Sequence, residues 1–337
     1  MALADILIFA VNSVLPVILL VALGYILKRT GFFTGEFLRV ANKTVFRILL
    51  PVLLFVNLAE LDSFSQLKWD AVLYALAAIV VLFCIGLFFA RITPDRYQKG
   101  VLLQGVVRSN FALVGVPLAQ LMAGDKGVKS AALLSAFTIP VFNVLSVVAL
   151  SVYVQGGGDR RASMTKTLRG ILRNPLIIGV LAGIVCVLLK PLARQLPSGV
   201  ASFLGKFTFA GTVLGYLAKA STPVALLVLG GQFEKSSIKG LKKQITLGVM
   251  GRLVFAPLIG LGGAILLQKM GILQFDNGTY AALIALFATP AAVASAIMAE
   301  EMGNDGQLAG QLVVWTTLLS AAVIFGAVVA LRTLGLV

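Results

Sequence analysis

Residues 108–117 read RSNFALVGVP and residues 287–295 read FATPAAVAS. Each stretch sits inside a long apolar run, and each carries what such a run absorbs least easily. The first holds Arg108, Ser109 and Asn110 ahead of Gly115 and Pro117; the second holds Thr289, Pro290 and Ser295. A proline removes a backbone donor and clashes with the carbonyl four residues earlier. In hydrocarbon the freed groups need other partners, so such breaks persist only where they face protein or a water-lined cavity. Arg108 lies roughly 13 Å into its run at ~1.5 Å per residue, and a charge at that depth must face protein or water. The two stretches are read as broken helices that cross inside a membrane, each ending in an exposed half-helix N-terminus that favours an anion.

The rest of the chain supplies the membrane. Its 337 residues are 59% apolar and 12% charged, with a mean hydropathy of +1.00, whereas soluble domains are about 25% charged. A spanning helix needs roughly 20 mostly apolar residues, and such runs recur at 5–27, 41–60, 70–91, 99–121, 130–154, 175–190, 210–231, 243–268, 278–299 and 306–332. The expected fold is all-α and polytopic, with ten spans as two inverted five-helix repeats in which spans 4 and 9 are broken and cross. Residues 1–154 form the first repeat, 155–174 a linker with a Gly156–Gly158 run, and 175–337 the second. The stretch 197–209 reads as an interfacial helix or as the start of span 7. The run from Asp5 to Leu27 has no basic leader and no small-residue cleavage site, and is expected to be a retained helix.

Lysine and arginine orient the map. Seventeen of the 28 fall on the odd-numbered connections and their flanks, eight on the other side, and Arg108, Lys219 and Arg252 within spans. The bias places the 155–174 linker in the cytoplasm and both termini outside. The net charge of +15 therefore reads as orientation, and nucleic acid is not an expected partner.

The halves also resemble each other. Pro16 is followed eight residues later by Gly24, as Pro175 is by Gly183; Pro51-Val52-Leu53-Leu54 matches Pro223-Val224-Ala225-Leu226; Phe137-Thr138 matches Trp315-Thr316. Five spans per half is an odd number, so the second half enters from the opposite face. Inverted repeats with broken helices at the midplane are the pattern of alternating-access carriers.

All thirteen Asp and Glu residues fall at span ends or in loops, and histidine is absent. The deep membrane then lacks the groups an intramembrane protease or proton relay needs. No catalytic residue, metal set or cofactor is expected, and Cys84 and Cys186 stand alone in apolar runs. Arg108 either holds a substrate carboxylate through its guanidinium fork or caps carbonyls released by the breaks; Lys219 and Arg252 read as structural. Asn110, Asn143, Thr138, Thr289 and Ser295 either contact a ligand or bridge helices. Coupling, where it exists, would use sodium held by carbonyls and amides, a proton on the substrate, or an edge carboxylate such as Glu60 or Glu300.

Arg108-Ser109-Asn110 with Gly115-Val116-Pro117 resembles the auxin efflux carrier family, which includes plant PIN-type carriers and bacterial malonate- and malate-type permeases. Gly24-Tyr25 to Gly31-Phe32, Pro51 with Phe55, Asn174-Pro175, Pro223 with Leu229-Gly230-Gly231, and Pro290 leading to Ala299-Glu300 and Gly303 extend the likeness along the chain. The resemblance implies ten helices related to the bile-acid symporter fold, a scaffold, a mobile transport unit and elevator-like movement, with Asn110 at the crossing. Ala291 and Ala292 after Pro290, with Ser295 in place of a second proline, depart from the plant pattern and point away from an aromatic substrate. The expectation is a carrier of small mono- or dicarboxylates in a bacterial inner membrane, with Arg108, Ser109, Asn110, Thr289, Pro290 and Ser295 at the substrate and a homodimer as the candidate assembly. A sodium-coupled symporter and a non-transporting receptor are the alternatives.

Overall fold

The computed structural model describes residues 3–59, 69–154, 173–193, 208–233 and 237–336. Among them the chain is helical, with one isolated antiparallel backbone bridge. In order the helices are α1 (Leu3–Arg29), α2 (Gly35–Ala59), α3 (Trp69–Arg91), α4 (Arg96–Val107), α5 (Val116–Val152), α6 (Pro175–Ala193), α7 (Phe209–Gln232), α8 (Ile238–Lys269), α9 (Asn277–Phe287), α10 (Ala294–Glu301) and α11 (Gly306–Thr333). Six of these, α2, α3, α5, α7, α8 and α11, are long and apolar enough to cross a membrane, while α6 and α9 contain shorter apolar helices. Glu60, most of the 155–174 linker and nearly all of 197–209 lie outside the described residues.

The predicted spans 4 and 5 differ from the structure in one respect. The second half of span 4 continues into span 5 as α5, interrupted by non-helical dihedrals at Ala123 and at Gly124, where φ is 55° and ψ is −139°. Glycine tolerates that region because it has no Cβ. The acids expected at span ends do local work. Asp95, Asp276 and Asp305 cap α4, α9 and α11 by accepting the Tyr97, Thr279 and Leu308 amides at 2.9, 3.0 and 2.8 Å. A carboxylate at this position satisfies an orphan donor and complements the positive end of the helix dipole.

Two cores form. One joins α3, the end of α4, the first part of α5, the later part of α8, α9 and the end of α11. The other joins α1, α2, α6 and α7 to α10 and the first turns of α11. Leucines and valines such as Leu19, Leu23, Val80, Leu188 and Leu266 stand exposed on the outside. Lipid is as apolar as these side chains, so helix association relies on close packing at small residues. Helix α1 packs on α7 and α2 on α6. A Cβ on Gly24 would lie 2.1 Å from the Leu227 carbonyl oxygen, and one on Gly230 2.0 Å from that of Val21. In the α2–α6 pair, a Cβ on Gly183 would lie 2.7 Å from the Leu58 Cβ and 3.2 Å from the Phe55 carbonyl.

Overpacking a tight contact typically costs about 1–3 kcal/mol. Gly230→Leu should therefore separate α1 from α7, lowering the unfolding temperature in detergent and broadening the size-exclusion peak. Gly326→Ala, where an added Cβ meets nothing within 4 Å, should leave both measurements unchanged.

Candidate functional site

Helix α4 ends when the Arg108 amide bonds the Gln104 carbonyl at 2.9 Å. Arg108 then turns extended, with φ −84° and ψ 109°. Asn110 follows at φ −83° and ψ 50°, and a π-helical turn, Phe111–Gly115, leads into α5. Across from it α9 stops at Phe287 and α10 begins at Ala294. The two unwound stretches meet antiparallel at Ser109 and Ala291. The Asn110 amide donates to the Pro290 carbonyl at 2.8 Å, and the Ala292 amide to the Arg108 carbonyl at 3.2 Å. The Thr316 hydroxyl of α11 accepts the Ala291 amide at 3.1 Å. Backbone that each helix gave up is thus repaired by the other.

The remaining carbonyls converge on one side chain. Arg252, fully buried on a π-helical turn of α8, donates from Nε to the Thr289 carbonyl at 2.9 Å. Its Nη1 reaches the Val106 and Val107 carbonyls at 3.3 and 3.2 Å, and its Nη2 those of Leu286 and Phe287 at 2.8 and 3.0 Å. A guanidinium has five N–H donors, and each has a carbonyl here. Both ends it serves are helix C-termini, which carry about half a negative charge each. The charge is thereby compensated without a carboxylate. The role left open for Arg108, that of capping the breaks, is filled by Arg252.

Arg108 lines a different space. A cavity of about 200 Å³ is bounded by Arg108, Ser109 and Asn110 at the crossing and by Ala292, Val293 and Ala294 at the start of α10. Asn57, Asn143 and Thr222 add polar groups, and the leucines of α2 close the side facing the crossing. The Arg108 guanidinium contacts the Met298 sulfur through Nη1, and among the described residues no carboxylate bonds it. The Ser109 hydroxyl and the Asn143 side-chain oxygen Oδ1 are buried without a partner. Unsatisfied buried groups are uncommon in native structures, and a ligand is one reason for them. No Asp or Glu lines this cavity among the described residues.

Of the predicted site residues, Arg108, Ser109 and Asn110 come together on the wall. Pro290 contributes its carbonyl to the crossing. The Thr289 hydroxyl is fully buried and donates back to the Ala285 carbonyl at 2.8 Å, away from the cavity. Ser295 sits in the first turn of α10 with its hydroxyl unpartnered and does not line the cavity. Gly115 lets the π-turn approach α9, since a Cβ there would lie 2.6 Å from the Ala285 carbonyl oxygen. Pro117 stands in the first turn of α5, after the break. Asn57 and Thr222 lacked a signal in the sequence, because neither interrupts its helix.

A second, more open cavity of about 750 Å³ lies among the ends of α1, α2, α7, α10 and α11. Lys28, Arg29 and Arg39 line it together with Glu300, Gln232 and Gln307. Gln232 Nε2 donates to Glu300 at 2.9 Å, and Asn42 Nδ2 to Glu301 at 2.8 Å. Burial, with Glu301 nearby, pushes the Glu300 carboxyl above the usual glutamate range.

The two arginines should separate experimentally. Each buried acceptor left unsatisfied costs about 1–3 kcal/mol, so Arg252→Leu should abolish folded, monodisperse protein. Arg252→Lys, with three donors for five carbonyls, should fall between it and the wild type in thermal unfolding. Arg108→Ala should unfold close to the wild-type temperature.

The chain matches the membrane transport protein family over residues 9–326. It is 25% identical to an uncharacterized transporter of Methanothermobacter thermautotrophicus, across 92% of this chain and 94% of that one. It is also 25% identical to a Rhizobium meliloti protein provisionally named as a malonate transporter, across 95% of each chain. Protein PIN-LIKES 2 of Arabidopsis thaliana is 28% identical over 44% of this chain and 32% of its own length. With a match over nearly its whole length, transporters among its relatives and a helical body of membrane-crossing length, this multi-pass protein is no enzyme: it belongs to the membrane transport protein family, the group of auxin efflux and PIN-type carriers.

Proposed function

We propose that this protein is a secondary carrier of small organic anions, mono- or dicarboxylates, working by elevator-like alternating access. The observation that carries the reading is the cavity at the helix crossing, where Arg108, the Asn110 side chain and the N-terminal end of α10 converge and no acidic side chain lines the wall among the described residues. A guanidinium held close to neutral donors in a water-poor site binds carboxylate strongly. At about 200 Å³ the space falls below the ~300–1,000 Å³ typical of drug-sized ligand sites, which suits a small acid.

Two further observations support an inverted-repeat carrier. Gly24 packs against the carbonyl of Leu227, four residues after Pro223, while Gly183 packs near that of Phe55, four residues after Pro51. Residues matched between the halves by sequence thus make matched contacts, α1 on α7 and α6 on α2. Cavity walls also come from two groups of helices. Residues of α2 and α7 face residues of the crossing and of α5, as expected where a substrate-bearing unit slides along a scaffold. With the odd connections cytoplasmic, the Gln232–Glu300 and Asn42–Glu301 hydrogen bonds tie the far end of α10, the helix that leaves the crossing, to α7 and α2 on the inner side, and in this reading they act as a latch.

In proteoliposomes loaded with labelled carboxylates, Arg108→Ala should weaken substrate affinity by about 10- to 100-fold, the equivalent of losing a charged hydrogen bond of ~1.5–3 kcal/mol. Unchanged affinity in that variant would refute the assignment. Replacing sodium by choline at fixed pH and voltage separates a sodium-coupled carrier from an uncoupled one.

The latch generates a pH prediction. Because the Glu300 carboxyl sits above the glutamate range, it takes up its proton at a higher pH than an exposed glutamate. Protonation removes the charge that strengthens its bond to Gln232. Flux should therefore rise as internal pH falls through this titration. Glu300→Gln should flatten the profile at the fast, low-pH level, and a variant with the wild-type profile would count against the latch.

A further inference from the structure

The cavity at the crossing is asymmetric in a way that narrows its cargo. Its polar groups belong to the crossing and to the amides and hydroxyl of Asn57, Asn143 and Thr222. The remainder is aliphatic or aromatic: Leu50, Leu53 and Leu54 of α2, with Ile139 and Phe142 of α5. Leu50, Leu53, Leu54 and Asn57 follow one another at helical spacing, so a single face of α2 offers three leucines before its one amide. Among the described residues the wall carries one cation, Arg108, and no second one.

Charge counting then favours one carboxylate. A monoanion pairs with Arg108 and leaves the cavity neutral. A dianion would set its second carboxylate among leucines and uncharged amides, where an ion without an opposite charge is strongly disfavoured. The second end of a ligand on this wall gains most by being apolar, since burial of hydrocarbon is favourable in proportion to its area. We propose that the preferred substrate is a short-chain monocarboxylate with an aliphatic tail, its carboxylate on Arg108 and Asn110 and its tail against the α2 leucines. This rests on the anion-carrier reading and deepens it, and it differs from the malonate in the name of one relative.

The test is competition against labelled isovalerate counterflow in proteoliposomes of the wild-type protein, with acetate, isovalerate, malonate and succinate as competitors. Isovalerate should compete at least 10-fold more strongly than malonate or succinate, and several-fold more strongly than acetate, which lacks the tail. Malonate competing as well as isovalerate would overturn the proposal while leaving an anion carrier intact. If neither isovalerate nor malonate is bound or moved, the anion-carrier reading itself fails, and this proposal with it. Leu53→Asn, at a half-buried position, should weaken isovalerate several-fold more than it weakens acetate, and an equal loss for both would count against the tail's place on α2. If that variant does not fold, the wild-type panel alone decides.

Discussion

A helix that stops inside a membrane leaves carbonyls that lipid cannot satisfy, and two such ends meet in this protein at one guanidinium. Arg252 bonds five carbonyls from the ends of α4 and α9 and from the unwound strand after α9. Without it the crossing would hold the orphaned acceptors of two C-termini in an apolar interior. Its own charge is accommodated by the negative poles of those same two helices, so no acid is required nearby. The π-helical turn of α8 belongs to this arrangement. It presents Arg252 to the crossing, and Gly251 beside it allows the approach, since a Cβ there would lie 2.4 Å from the Val106 side chain.

Once the C-terminal ends are neutralised, the polarity of the site follows. The opposite ends of the broken helices begin at the cavity wall with their positive poles, near Asn110 on one side and Val293 and Ala294 on the other. Arg108 adds a full charge whose contact is a methionine sulfur, a weak acceptor. One arginine is spent on structure and the other lines the cavity. Carboxylates serve elsewhere as helix caps or as hydrogen-bond acceptors at the helix ends. The proposed anion preference therefore rests on how backbone dipoles are oriented as much as on side-chain charge.

The same economy appears between helices. Close backbone contacts at Gly24, Gly183 and Gly230 hold α1 to α7 and α2 to α6, making a small-residue framework of the sort expected where lipid supplies no hydrophobic drive. On the other side of the cavity, α5, α9 and the crossing form a core dense in alanine and leucine. The cavity lies between this side and the residues of α2 and α7.

Much of this was legible in the chain because it depends on solvent preference and backbone covalency. Apolar length predicted helices near where they occur, and proline together with clustered polar residues marked spans 4 and 9, whereas Pro16 and Pro223, without such a cluster, sit inside continuous helices. The Asp residues at helix starts and the Pro–Gly matches between halves were visible for the same local reasons. What the chain could not reveal was which arginine does which task. Arg108 and Arg252 look alike in sequence, and only the meeting of α4 with α8 and α9, more than a hundred residues further along the chain, gives one of them five carbonyls and leaves the other a cavity. Thr289 looked like a ligand group until its helix supplied the Ala285 carbonyl, and Asn57 and Thr222 joined the wall through packing alone. Local chemistry determined where helices must break; the tertiary structure decided which polar groups satisfy one another and which stay open, because that depends on who lies across the gap.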